Sequence, residues 1–129
     1  MITHSSEILP RIGLGMAALG RPGYINLNRG AVIGSTPESR TVEAMKQRSD
    51  NVMTLAMSLL QPLPWFDCAR SYGLSEKFVG EYLREHCVGT DDVYVSSKWG
   101  YTYVADWNVE LEDDAPHEVK DHSVEVRLV

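Results

Sequence analysis

Cysteine is scarce in this chain: Cys68 and Cys87 are the two thiols in 129 residues. Two cysteines do not make a disulfide framework. Reduced thiols are the rule in the cytosol, so a cytoplasmic location is expected. Cys68 beside Asp67 reads as a small buried filler rather than a reactive thiol. Basic charge is also short, with 12 Lys and Arg against 18 Asp and Glu, a net charge of −6. A nucleic-acid surface needs a basic excess, so that class of partner is excluded. Much of the acidity is local, in Asp106, Glu110, Glu112, Asp113 and Asp114, and reads as a solvated loop. Long apolar runs are missing too. The longest uncharged stretch, Asn51 to Phe66, is too short to span a membrane and is broken by Pro62 and Pro64. Met1 to Glu7 has neither the basic start nor the apolar core of a targeting signal. No internal repeat and no low-complexity tract is visible.

What is present suits one modest globular domain over residues 1–129, with 43% apolar residues. Arg11 to Gly15 reads as a short strand ending in glycines. Leu19 to Ser35, rich in Gly, Pro and Asn, reads as a long loop. Thr36-Pro37-Glu38 has the hydroxyl cap and first-position proline of a helix start. The main helical periodicity begins near Val42 and runs through Met45, Val52, Leu55, Ala56, Leu59 and Leu60. Leu63 to Asp67 follows as a strand. Ser75 is the expected cap of the next helix, with Glu76 in its first turn and Phe78, Val79, Tyr82 and Leu83 as its apolar stripe. Gly89 is its expected stop. Asp92 to Lys98 is β-rich and reads as a third strand. Gly100 to Asp121 shows no periodicity and reads as loop, and Ser123 is positioned to cap a third helix.

Strands alternating with helices predict parallel pairing through right-handed crossovers. In such folds the polar groups at the carboxyl ends of the strands meet on one face. Gly15-Met16, the segment Asp67 to Tyr72, and Lys98 occupy that position, one per unit. A carbonyl is reduced when hydride reaches its carbon and a proton reaches its oxygen. Tyrosine is a weak acid at neutral pH, and a neighbouring ammonium stabilises its phenolate. That ammonium needs a counter-charge where it is shielded from water. The pattern thus supports Tyr72 as proton donor, Lys98 as its tuner and Asp67 as the carboxylate that holds Lys98. The competing reading is an ordinary salt bridge beside a rim tyrosine.

At these residues the chain resembles the aldo-keto reductases. The family's motif after its second strand is Asp-x-Ala-x-x-Tyr-Gly-x-Ser-Glu-x-x-x-Gly. Asp67, Ala69, Tyr72, Gly73, Ser75, Glu76 and Gly80 stand in that register. Ser97-Lys98-Trp99-Gly100 is similar to the end of the family's third strand, and Gly13, Gly15 and Gly20 to the turn after its first. Arg21 to Leu27 and Trp99 to Trp107 look like a bacterial-type branch of the family. The resemblance covers about Arg11 to Glu125. It implies a (β/α)₈ TIM barrel that reduces an aldehyde or ketone to an alcohol, or the reverse, with NADPH. The implied substrate is a small carbonyl or sugar-like compound. Asp67, Tyr72 and Lys98 match three of the four catalytic groups. Gly15, Met16, Ala17 and Asp67 match the positions nearest the nicotinamide end of the cofactor.

The departures are informative. The family's fourth catalytic group, a His after the fourth strand, has no matching position, and His117 and His122 lie before it. Strands five to eight, which carry most of the cofactor surface, are not represented. A closed barrel takes about 250 residues. The expected architecture is therefore α/β: an incomplete barrel of roughly the first three β/α units. Its open strand edges invite self-association. A second reading is a catalytically inactive truncated remnant or interaction fragment of the family. Pro62 replaces a usual glycine and Pro64 falls in the expected strand, so a displacement of Gln61 to Trp65, and with it Asp67, is expected.

Two other motifs fail on context. Gly13-x-Gly15-x-x-Ala18 matches a dinucleotide fingerprint, but Gly20-Arg21-Pro22-Gly23 then forbids the helix the motif must open. His117 and His122 are five residues apart, about 140° around a helix, not the four that put two zinc ligands on one face. Trp99, Tyr101, Tyr103 and Trp107 are dense for a loop, and two readings stand: walls of a ligand pocket, or packing over the barrel end.

Overall fold

The computed structural model describes residues 12–22, 41–105 and 115–123. Within them the order is β1 (Leu14–Gly15), α1 (Ala17–Gly20), α2 (Val42–Leu59), β2 (Trp65–Asp67), α3 (Ser75–Glu85), β3 (Tyr94–Ser96), β4 (Tyr101–Tyr103) and β5 (Glu118–Lys120). The first three strands form one parallel sheet in sequence order, β1-β2-β3. Helix α3 connects β2 to β3, and α2 precedes β2. This is the α/β alternation that the apolar periodicities predict.

Helix α2 starts where its chemistry allows. Thr41 is extended, and its hydroxyl accepts the Ala44 N–H at 3.2 Å. Glu43 sits in the first turn, where the helix dipole favours a negative charge. The buried face is Met45, Ser49, Met53 and Ala56, at steps of four, four and three. Leu55 and Leu59, expected in the apolar stripe, point outward and are exposed. The expected helix start at Thr36 to Glu38 lies outside the described residues.

Strand β2 alternates as a strand must. Phe66 turns to the helices and is fully buried with Met53, Ala56, Val79 and Tyr82. Its ring meets Tyr82 edge-on, with centroids 6.4 Å apart. Trp65 and Asp67 occupy the opposite face. The two prolines do not displace this strand as expected. Pro64 precedes it and contributes its carbonyl, which accepts the Tyr94 N–H at 2.8 Å. Asp67 then falls in register, paired with Gly15 on one side and Ser96 on the other.

Three local expectations are corrected. Ser75 does not cap α3. Leu74 holds the cap position, and no side chain caps the helix there. Ser75 is fully buried instead, with its hydroxyl directed to the Ala69 carbonyl at 3.5 Å. Residues 17–20, at the edge of the expected loop and glycine-proline segment, form the single turn α1 before the chain extends at Arg21. Gly100 to Asp121 is not all loop, because β4 and β5 pair antiparallel within it, Tyr101 with Lys120 and Tyr103 with Glu118. Gly100 adopts a positive φ of 106°, and the His122 ring sits 2.5 Å from where a β-carbon would be. The helix expected after Ser123 lies outside the described residues. Ser123 itself donates its N–H to the Asp121 carboxylate at 2.8 Å. Among the described residues no helix is long and apolar enough to cross a membrane.

Phe66 fills the centre of the helix-facing layer, so its removal leaves a cavity that the short strands cannot close. Phe66→Ala is predicted to lower unfolding stability by about 3–5 kcal/mol. The check is a denaturant titration with an unchanged m-value. A loss under about 1 kcal/mol contradicts this packing.

Candidate active site

The sheet register puts Gly15, Asp67 and Ser96 side by side at the carboxyl ends of β1, β2 and β3. Backbone hydrogen bonds continue the pairing past the strands: Met16 N–H to the Asp67 carbonyl at 3.0 Å, and Cys68 N–H to the Ser96 carbonyl at 2.8 Å. The segment after β2 then folds over this row. Arg70 N–H donates to the Lys98 carbonyl at 3.0 Å, and Tyr72 N–H to the Ala69 carbonyl at 3.0 Å. Gly73 turns the chain with a φ of 60° and packs against the Gly20 backbone, while Leu74 N–H donates to the Gly20 carbonyl at 2.8 Å. A side chain at Gly73 would collide with Gly20.

This loop brings Tyr72 to Lys98. The Lys98 ammonium donates to Asp67 Oδ2 at 2.6 Å and to the Cys68 carbonyl at 2.9 Å. It lies 4.9 Å from the centroid of the Tyr72 ring, over its π-face. The other carboxylate oxygen, Asp67 Oδ1, accepts the Ser96 hydroxyl at 2.7 Å. Ser96 Oγ in turn accepts the Trp65 indole N–H at 2.8 Å. Asp67, Tyr72 and Lys98, 31 residues apart at the extremes, thus meet at one point.

Burial acts against charge on both members of the pair, and their mutual contact overcomes it. Burial pushes the Asp67 carboxyl up, but the hydrogen bonds from Lys98 and Ser96 and the Lys98 charge hold it below the ordinary carboxylate value. Burial likewise pulls the Lys98 ammonium down, but the Asp67 hydrogen bond and charge, with Tyr72 beside it, hold it above the ordinary lysine value. The side chains remain 49% and 32% exposed for Lys98 and Asp67, so the pair stands open to a ligand. Cys68 is different. Its thiol is buried and pushed up to about 11, so it is an inert filler.

Of the positions expected near the cofactor, Gly15 is exposed with open space where a β-carbon would sit. Met16 and Ala17 are buried, and the Met16 side chain belongs to the core. His122 stands edge-on to Trp99 and Tyr101, and the His117 carbonyl accepts the Val104 N–H. The two histidines flank β5, and no group of three metal-binding side chains forms among the described residues. Trp99 and Tyr101 are half-exposed, and Tyr103 lies under the Arg21 guanidinium at 5.3 Å. Trp107 lies outside the described residues.

Sequence reasoning missed several supports. Arg21 donates to the Ser71 carbonyl at 2.9 Å and pairs with Glu118 at 3.2 Å, tying the Tyr72 loop to the β4–β5 hairpin. Glu76 accepts the Ser97 hydroxyl at 2.7 Å and faces Arg70 at 3.6 Å. Ser96 was hidden because cross-strand register is not written in local sequence. Its even spacing from Tyr94 and Lys98 is the one signal that could have placed it on the Asp67 face.

The aldo/keto reductase family model matches residues 11–126. No curated protein gives a significant match to the chain, and no solved structure does.

The pair has a definite pH signature. Asp67 is lowered on folding, so its contribution is present above the ordinary carboxylate value, about 3.9, and is lost as pH falls through its folded value. Lys98 is raised, so its contribution is present below about 10.4 and lost as pH rises through its folded value. A double-mutant cycle with Asp67→Asn and Lys98→Met should give a coupling of about 0.5–1 kcal/mol at neutral pH, the range of partly exposed pairs. The coupling should fade at acid and alkaline extremes. A coupling that is flat with pH contradicts the pairing.

Proposed function

Because the chain belongs to the aldo/keto reductase family and so to an oxidoreductase type, we propose that it carries the proton-transfer site of a NAD(P)H-dependent carbonyl reductase. The observation that supports this most is the placement of the Lys98 ammonium, 2.6 Å from Asp67 and against the Tyr72 side chain. Tyr72 is the proton donor. Its O–H bond breaks, the substrate carbonyl oxygen takes the proton, and the phenolate remains on the protein. Lys98 stabilises that phenolate, and Asp67 holds Lys98 in place and favours its charged form. In the oxidative direction the phenolate takes the proton back from the alcohol.

NADPH, when bound, supplies the hydride. The open surface over Gly15, beside Asp67, fits its nicotinamide end, because a flat ring can approach a bare backbone there. Met16 and Ala17 support this surface through their backbone, since their side chains are buried. In this reading residues 1–129 form one domain carrying the first three β/α units of an incomplete eight-unit barrel. The family's catalytic His and the larger part of its cofactor surface belong to later units. The substrate is a small carbonyl or sugar-like compound, and the site of action is the cytoplasm.

A second reading is supported by the sheet edge. Among the described residues β3 has no partner on its outer side, and Tyr94 and Val95 there are exposed. A catalytically inactive fragment of the family that pairs with a second copy through this edge would use it.

Titration with NADPH, followed by addition of a small aldehyde, separates the two. The reductase reading predicts saturable binding and aldehyde-dependent oxidation, with Tyr72→Phe abolishing oxidation while binding persists. Turnover retained in Tyr72→Phe contradicts the assigned donor. No binding by a monodisperse sample contradicts the enzyme, and concentration-dependent dimers in sedimentation would then support the pairing fragment.

A further inference from the structure

The relay behind Asp67 has a fixed direction. An indole N–H can only donate. Trp65 Nε1 lies 2.8 Å from Ser96 Oγ, so the hydroxyl must accept there. The hydroxyl's own proton is then free for Asp67 Oδ1 at 2.7 Å. Lys98 occupies the other oxygen at 2.6 Å. A carboxylate held by a different donor on each oxygen cannot rotate without breaking one contact. The sheet supplies the geometry: Trp65 and Asp67 share a face two residues apart, and Asp67 lies opposite Ser96 in the register. The indole itself is held. Tyr94 meets it edge-on at 5.8 Å, and a β-carbon at Gly13 would lie 2.7 Å from its ring.

We propose that Ser96 and Trp65 are positioning residues that lock the Asp67 carboxylate so that Lys98 is delivered to Tyr72. The proposal rests on the proton-transfer reading of that site. Ser96 orients Asp67 and Trp65 orients Ser96, while neither touches the reacting atoms. Among the described residues, the charge paired with Asp67 is that of Lys98, and the nearby Cys68 thiol, pushed up to about 11 by burial, stays neutral over the acid range.

The test is the titration of the Asp67 carboxyl carbon by NMR in the full chain. Ser96→Ala should move its midpoint up, because a hydrogen bond to the charged form is lost. Ser96→Thr keeps the hydroxyl and should restore the midpoint. Trp65→Phe should move it up by less, since the hydroxyl remains but its direction is no longer forced. An unchanged midpoint in Ser96→Ala overturns the proposal. Should Ser96→Ala fail to fold, the wild-type chain still decides. The Trp65 indole N–H resonance should shift with the same midpoint as the Asp67 carboxyl, and an indole that ignores this titration overturns the relay. The readout does not depend on turnover, so a chain without reductase activity and a chain without the relay give different results.

Discussion

A lysine ammonium held 2.6 Å from an aspartate at the end of a parallel strand is the contact on which the rest of the site depends. Neither group is deeply buried, so little of the contact's importance is energetic. Its value is positional. Lys98 donates to Asp67 and to the Cys68 carbonyl, and it faces the Tyr72 ring. The ammonium therefore joins two strands and the loop between β2 and α3. The register of three short strands sets where Asp67 sits, and the Gly20–Gly73 approach sets where Tyr72 sits. The site belongs to a face of the sheet whose opposite side, centred on Phe66, is closed by α2 and α3.

How much of this the sequence displays differs with the range of the interaction. Helix α2 was legible from near Val42 because the segment carries a local period, whereas its cap, Thr41, was not singled out. Its exposed Leu55 and Leu59 were misread because the buried face runs through Ser49 and Met53, and a serine does not register as apolar. Ser75 looked like a cap by residue type, yet its burial beneath the Tyr72 loop is a tertiary matter. The β4–β5 pair was invisible because three residues of Tyr-Thr-Tyr are too few to show a period. Their partner, Glu118-Val119-Lys120, carries one apolar residue between two charges. Asp67 stays in register with Gly15 and Ser96 behind Pro62 and Pro64 for a simple reason. Pro64 stands before the strand and uses only its carbonyl.

The acid, phenol and amine were legible as residue types and as a family motif. Their meeting was not, since it depends on register and on a glycine turn. The supporting shell was the least legible part. Ser96 and Trp65 on one side, and Arg21, Glu76 and Ser97 on the other, are ordinary residues that acquire a role only once the strands align. Membership of the aldo/keto reductase family accounts for the motif, and the parallel sheet accounts for why the motif's members converge.

The most direct measurement is the titration of the Lys98 ε-ammonium itself, followed by nitrogen-detected NMR in the wild-type chain and in Asp67→Asn. The account predicts that Lys98 keeps its proton to a pH above the ordinary lysine value, about 10.4, and loses that advantage when Asp67 is neutralised. A wild-type Lys98 that titrates at or below the ordinary value, or one indifferent to Asp67→Asn, would contradict it.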